Sequence, residues 1–415
     1  MEDYKYYSHT DTKRRVLFII GLVFTSLGMI IALILAYLSH ILLGYYRIGD
    51  KKLDIDRGEN TKEVVKVGDV LSAATYNIGF GAYSQDFTFF LDTGYDANGK
   101  ETCGSRGTAK SLKEVNFNTN GIIDTLKTLN PDFIMMQEVD IHSARSYYVN
   151  QDKRAQENFA GYDHIFANNF HTAFLPYPFY DMHGDAQSGL STFSRYKVTP
   201  DSANRKSYTV SDSMSKIFDL DRCYSYMTVE VSNGKKLYVV NSHMSAYDEG
   251  GVIRAKQVEE IRALLELVAQ NDDYLILGGD FNHDLLRHNP LYKNGDGSFK
   301  YTNENKPYGE TKKDPTWVSQ LFREDGTSPL TDPIKVGNVN KQYQIFASDS
   351  APTCRNNDII WVEGRTYVVT VDGFVCSENI EMLSVETIAT NNGNLGTRYF
   401  AYSDHQPVKL SFKLK

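Results

Sequence analysis

The sequence predicts an α/β domain tethered behind one membrane-spanning helix. Three observations lead there. Residues 16–46 contain no Asp, Glu, Lys or Arg. Downstream, short apolar runs of strand length keep ending on a polar residue. Between them lie segments with helical spacing. The composition is ordinary for a globular chain: 415 residues, 41% hydrophobic and 23% charged, ample for a large core. Beyond the first ~60 residues about 350 remain, enough for two average domains or one large sandwich. The formal net charge of −8 excludes a globally basic nucleic-acid binder. The 28 Tyr and 22 Phe suit a β-rich core and leave aromatics for exposed loops.

Residues 1–15 form a short polar tail ending in Lys13-Arg14-Arg15. Residues 16–46 are expected to be a transmembrane anchor. About 20 apolar residues cross a bilayer, whereas a cleaved signal has an apolar region of roughly 7–15. No small-x-small cleavage site follows the run. Lys13, Arg14 and Arg15 on one side nearly balance Arg47, Lys51 and Lys52 on the other; the compact basic cluster and short tail favour an N-terminus in the cytoplasm and the large domain outside it. Residues 47–67, charged and without a period, read as a linker. Residues 68–415 form the domain, with a surface insertion at about 285–353 anchored by Trp317 and Leu321.

Within the domain, 70–77 reads as a first strand ending on Asn77. Residues 115–129 have apolar spacing for a helix, stopped by Asn130-Pro131. Residues 133–138 form a buried strand ending on Glu138, and 162–167 another short one. The Phe170–Tyr180 stretch is aromatic, and Pro176 and Pro178 argue for a loop, either packed on the domain or facing substrate or lipid. Residues 188–194 resume the sheet. Residues 223–231 and 236–241 pair around Ser232-Asn-Gly234 and lead to His243. Residues 250–270 form the clearest helix.

That helix runs into Tyr274–Leu277, an apolar strand that breaks at Gly278-Gly279 and presents Asp280, Asn282 and Asp284. Residues 358–362 and 365–371 read as strands, and Asp404-His405 precedes the last one. Four cysteines, Cys103, Cys223, Cys354 and Cys376, allow three pairings or free thiols, and none has zinc-site spacing.

A lone His or Asp after a strand is ordinarily a capped turn. Here Asn77, Glu138, His243, Asp280 with Asn282, Asp358 and Asp404-His405 all sit at strand ends. Their oxygen donors suit a hard cation such as Mg²⁺, and two histidines with a surplus carboxylate suit acid–base work. Arg222, just before a strand, reads either as a phosphate contact or as a surface salt bridge.

The motifs Thr75-Tyr-Asn77, Gln137-Glu138, Asn241-Ser-His243, Gly279-Asp-Phe-Asn282, Asn357-Asp358 and Ser403-Asp-His405 follow one another from about Leu71 to the C-terminus. In this order they resemble the endonuclease/exonuclease/phosphatase superfamily, which includes deoxyribonuclease I, inositol polyphosphate 5-phosphatases and neutral sphingomyelinases. The resemblance implies a four-layer α-β-β-α sandwich of two mixed sheets. It implies a metal-dependent phosphoester hydrolase using Mg²⁺ or Mn²⁺. Glu138 would bind the metal, with Asn77 and Asp404 helping. Asp280 would orient or deprotonate the attacking water, with Asn282 positioning it. His405, held by Asp358, would stabilise transition-state charge, and His243 would meet the phosphoryl group or leaving oxygen. His283 and Asp284 gain nothing from the comparison and read as turn residues.

The expected function is a membrane-anchored phosphodiester hydrolase acting on phospholipid or other small phosphoesters. An extracellular nuclease is the alternative; nucleic acid is not favoured, because it needs a basic groove. The alternative of another class is a non-catalytic binding protein on the same fold.

Overall fold

The structure is a computed structural model that describes residues 2–44, 46–59, 61–95, 100–210, 220–246, 252–286, 321–323, 327–363, 366–391 and 399–415. It divides into two units, 1–46 and 47–415. The first is one helix, Glu2–Gly44, whose Thr12–Leu43 portion is long and apolar enough to cross a membrane. At 1.5 Å per residue, those 32 residues span about 48 Å, more than the ~30 Å hydrocarbon core.

The second unit is built on two mixed sheets. One orders its strands as Ile380–Thr387, Val408–Leu414, Leu71–Asn77, Phe133–Asp140, Gly184–Ser194 and Asp163–Leu175. The other runs Lys51–Lys52, Asn204–Ser207, Cys223–Glu230, Lys236–His243, Tyr274–Asp280, Asp372–Ser377 and Tyr343–Phe346. Ala73, Phe133 and Met135 meet Met227, Val239 and Ile276 between the sheets. Outside the first sheet, Ile122, Leu126 and Ala155 of helices Leu112–Leu129 and Gln151–Asn158 cover Tyr76, Ile134 and Met136. Outside the second, Val258, Ile261, Leu265 and Val268 of helix Val252–Gln270 cover Val240, Leu275 and Leu277. The strand Tyr274–Asp280 is therefore apolar on both faces because one faces the other sheet and the other a helix. This is the expected α-β-β-α sandwich.

The two parallel pairs are central: Leu71–Asn77 beside Phe133–Asp140, and Lys236–His243 beside Tyr274–Asp280. Parallel neighbours need crossovers, here the helices Leu112–Leu129 and Val252–Gln270. Ser111 starts the first by accepting from the Glu114 N–H at 3.2 Å, and left-handed Asn130 ends it. The polar residues that finish these four strands thus collect at one end of the sandwich.

Buried amides join the sheets just below that end. Gln137 Nε2 donates to Asn241 Oδ1 at 2.8 Å and to Thr75 Oγ1 at 3.1 Å, and Asn241 Nδ2 donates to Thr192 Oγ1 at 3.0 Å. In the sequence motifs, one polar residue in each strand ties the sheets, and a neighbour faces the cleft.

Several expectations are corrected. Residues 47–67 are no free linker. Lys51–Lys52 pairs with Asn204–Ser207, and Arg57 Nη1 donates to Asp163 Oδ2 at 2.6 Å. Their charges find partners on the sandwich, which composition does not reveal. The 285–353 stretch is only partly an insertion: Tyr343–Phe346 is an edge strand of the larger sheet, and Leu321 is buried. Trp317 lies outside the described residues. The aromatic stretch is strand through Leu175 and turns only at its prolines. Residues 358–362 form no strand. Helix Gln151–Asn158 and strand Ile380–Thr387 were not expected, being short and mixed in pattern. All four cysteines are free thiols.

The Gly278-Gly279 pair has a packing cause. A Cβ on Gly278 would lie 2.6 Å from Met135 Sδ, and one on Gly279 2.0 Å from the Ser242 carbonyl oxygen. Gly279→Ala is expected to destabilise the fold by about 3 kcal/mol or more, because backbone must move apart to admit the methyl. Thermal unfolding checks this; an unchanged midpoint would show that the strands can separate freely.

Candidate active site

Asn77 is the node of the cleft. Its Oδ1 accepts the Gly79 N–H at 3.0 Å, which orients the amide. Its Nδ2 donates to Glu138 Oε1 and to Asp280 Oδ2, each at 3.0 Å, and lies 3.5 Å from His405 Nε2. Both ends of the amide are engaged, so Asn77 bridges two carboxylates.

Glu138 is turned into the cleft by a bulge between Met136 and Val139 and by a left-handed φ of 55°. A non-glycine residue there is strained, and such strain gathers at functional sites. The strand after it is fixed by Asp140, which takes 2.8 and 3.1 Å bonds from Arg145; that guanidinium lies 3.9 Å over the Phe80 ring. Burial, then the charge of nearby Asp404, pushes the Glu138 carboxyl up. Asp404 is held by Asn357 Nδ2 at 2.9 Å and Ser403 Oγ at 3.2 Å. Two recessed carboxylates that repel each other are a donor set a divalent cation would satisfy, so Glu138 and Asp404 fit a hard metal. A second cluster, Asp280, Asp372 and His405, also brings ligand atoms within 4.8 Å of one another.

Asp280, His243 and Asp372 lie side by side on three adjacent strands. Asp280 Oδ1 accepts the Asn282 N–H at 2.8 Å, and its Oδ2 lies 3.5 Å from His243 Nε2 and 3.7 Å from His405 Nε2. Burial pushes its carboxyl up to about 6, against the pull of His405. His243 is driven well below the usual imidazole range by burial, then by Arg222 and His405. It is therefore neutral, and among the described residues its Nδ1 has no hydrogen-bond partner. Arg222 is buried, its Nη1 has no hydrogen-bond partner among the described residues, and its charge acts on His243. Asn282 turns its amide to the Met244 carbonyl at 2.8 Å, so only its backbone N–H touches Asp280.

His405 hydrogen-bonds Asp372 Oδ2 through Nδ1 at 2.7 Å. Burial works against its charge, yet the Asp372 carboxylate wins and holds the imidazole well above its usual range. This corrects the expected partner. Asp358 instead accepts from Thr102 Oγ1 at 2.5 Å and Asn356 Nδ2 at 2.9 Å, supporting the small hairpin Thr93–Tyr95/Glu101–Cys103. Asp372 was missed because it opens a strand instead of ending one. The available signal was a lone Asp inside the apolar run Val368–Val375. His283 and Asp284 belong to the turn: His283 Nδ1 meets the Phe281 carbonyl at 2.7 Å, and Asp284 accepts the Leu286 N–H at 3.0 Å.

Strand ends from two stacked sheets meeting in one polar cleft define the class, a phosphoesterase fold. The chain belongs to the Endonuclease/Exonuclease/phosphatase family, whose profile matches residues 74–405. Among solved structures it is similar to ANGEL2, a 2',3'-cyclic phosphatase, at 16% identity, with a TM-score of 0.48 over 88% of this chain and 98% of that one. It is also similar to truncated Caenorhabditis elegans TDP2, at 14% identity and TM-score 0.46 over 84% and 99%. The human Nocturnin catalytic domain with bound sulfate gives 14% identity and TM-score 0.44 over 88% and 97%. No curated protein matches.

Proposed function

We propose that the protein is a membrane-anchored, divalent-metal-dependent phosphodiester hydrolase acting on small or lipid phosphoesters. The observation that carries this reading is the Asn77 amide joining Glu138 to Asp280, beside the Asp372–His405 pair. Glu138 and Asp404 would hold Mg²⁺ or Mn²⁺, which when bound supplies Lewis-acid stabilisation of phosphoryl charge. Asp280, ionised above about pH 6, accepts the proton of the attacking water. Asn77 fixes the Asp280 carboxylate, and the Asn282 N–H holds its other oxygen. Protonated His405 faces the developing negative charge, with Asp372 keeping it cationic. Neutral His243 donates a hydrogen bond to the phosphoryl group or leaving oxygen. Arg222, whose Nη1 has no partner among the described residues, supplies a charged donor to the phosphate.

The nuclease reading draws little support from the arginines and lysines available for a groove. Arg145 and Arg205 are buried and spent on Asp140 and on carbonyls of Ile48, Asn168 and Asp221. Lys197 pairs with Glu63 and Lys206 with Asp50. The apolar helix, read as a retained anchor with the domain outside the cytoplasm, favours a lipid or small phosphoester.

The full chain in detergent is expected to hydrolyse bis(p-nitrophenyl) phosphate with Mg²⁺ or Mn²⁺. EDTA should remove at least about 10²-fold of the rate, and re-addition of metal should restore it. A panel of phospholipids, inositol phosphates and DNA then ranks substrates. Activity indifferent to EDTA, or none on any phosphoester, would refute the reading; a preference for DNA would move it to the nuclease.

A further inference from the structure

We propose that the tip joining strands Asp163–Leu175 and Gly184–Ser194 docks into the lipid bilayer that holds the chain's own apolar helix, so that the cleft faces that bilayer. The proposal rests on reading this helix as a retained anchor, and it adds where the site looks.

The tip presents an apolar surface. Phe174, Tyr177, Phe179, Tyr180 and Met182 are 42%, 52%, 76%, 74% and 42% exposed. A contiguous patch of large apolar side chains on a soluble surface marks a contact site. This exposure is built in. Asp181 accepts from Thr108 Oγ1 at 2.6 Å and from the Gly107 N–H at 3.1 Å, and Tyr177 packs edge-on against Phe90 at 5.5 Å. The His183 N–H closes the turn on the Tyr177 carbonyl at 3.1 Å. Phe179 and Tyr180, the most exposed pair, thus sit on an anchored support.

Its position is tied to the cleft. Ser188 pairs with Asp140, two residues past Glu138, whereas Leu175 pairs with Gly184, further along the same hairpin. The tip therefore overhangs the strand ends that carry the site.

The chain enters the folded unit at this same end. Arg47 pairs with Asp221, next to Arg222. Arg205 Nη1 donates to the Ile48 carbonyl at 2.7 Å, and Asp50 accepts the Ser207 N–H at 2.7 Å. Ser207 pairs with Cys223, and Tyr224 with Ser242, the neighbour of His243. The register therefore puts residues 47–50 at the cleft end of the larger sheet. The apolar helix ends at Gly44, and three peptide steps to Arg47 reach at most about 10 Å. A bilayer that holds this helix therefore keeps a lipid surface within reach of the folded unit.

The side-chain chemistry selects the occupant. Phe and Tyr rings settle at the headgroup level of a bilayer, apolar body inward and hydroxyl outward. The tip carries no Lys or Arg, so the surface it fits is a zwitterionic lipid such as phosphatidylcholine.

The full chain carrying Phe179→Trp is to be reconstituted in phosphatidylcholine vesicles without divalent metal. Its emission, less that of the unsubstituted chain, is then compared with and without brominated phosphatidylcholine. At least about twofold quenching is expected, as for a ring at the acyl boundary. Val339→Trp is the control: Val339 is 57% exposed on a hairpin leading into the strand that pairs Tyr343 with Ser377, away from the Asp280–Asp372 end. It should be unquenched. Tyr180→Trp repeats the test at a second position. No quenching at either tip position, equal quenching at the control, or tip burial by a second copy without lipid contact would overturn the proposal. The measurement needs no turnover, so an inactive chain whose tip is quenched counts against the hydrolase reading alone.

Discussion

Asp280→Asn is expected to lower kcat by about 10³-fold, the range for loss of a general base, with little change in KM. The substitution is isosteric, so Oδ1 still accepts the Asn282 N–H, but the residue no longer takes a proton. The pH profile makes the test specific. Burial raises the wild-type carboxyl to about 6. Below that pH it is protonated and cannot act as a base, so log kcat should climb as pH rises to about 6 and then level. The Asn variant should lack this acid limb. Full activity in the variant, or an unchanged limb, would remove Asp280 from the chemistry.

Asp372→Asn should cost about 10²–10³-fold in kcat, whereas Asp358→Asn should leave activity within about threefold of wild type. The contrast follows from which carboxylate touches His405. Asp372 bonds Nδ1 at 2.7 Å and keeps the imidazole charged despite burial. Without that charge the raised folded-state pKa falls, so His405 loses its proton at lower pH and the alkaline limb of activity moves down. Asp358 only accepts from Thr102 and Asn356, and its loss should cost about 1 kcal/mol of stability. Loss of activity in Asp358→Asn with retention in Asp372→Asn would reverse the assignment.

Most of the cleft was legible in sequence because its residues end strands. Asn77, Glu138, His243 and Asp280 each close a strand-length stretch rich in apolar residues, and Asp404-His405 stands just before another. Parallel central strands carry such residues to one end whatever the details of packing. The aromatic stretch was legible as composition but not as shape. Pro176 and Pro178 mark where the strand must stop, not where it starts to fail, so the strand runs on to Leu175. Residues 47–67 looked like a linker because their binding energy comes from partners elsewhere, such as Asp163 and Arg205.

Sequence by itself determined the apolar helix and the cluster around Gly279-Asp280-Phe281-Asn282, since each depends on local composition or on a short motif, whereas the two-sheet class followed only from the resemblance that the ordered motifs carry. Only tertiary structure decided that Asp372, not Asp358, holds His405. Both are single aspartates near an apolar run. The choice depends on strand Asp372–Ser377 pairing with Tyr274–Asp280, which sets Asp372 opposite Asp280, a contact across more than ninety residues that no local pattern encodes. The tertiary structure likewise gave Asn77 its place: an amide with one end on a glycine N–H and the other between two carboxylates is a donor there, and only the surrounding atoms can say so.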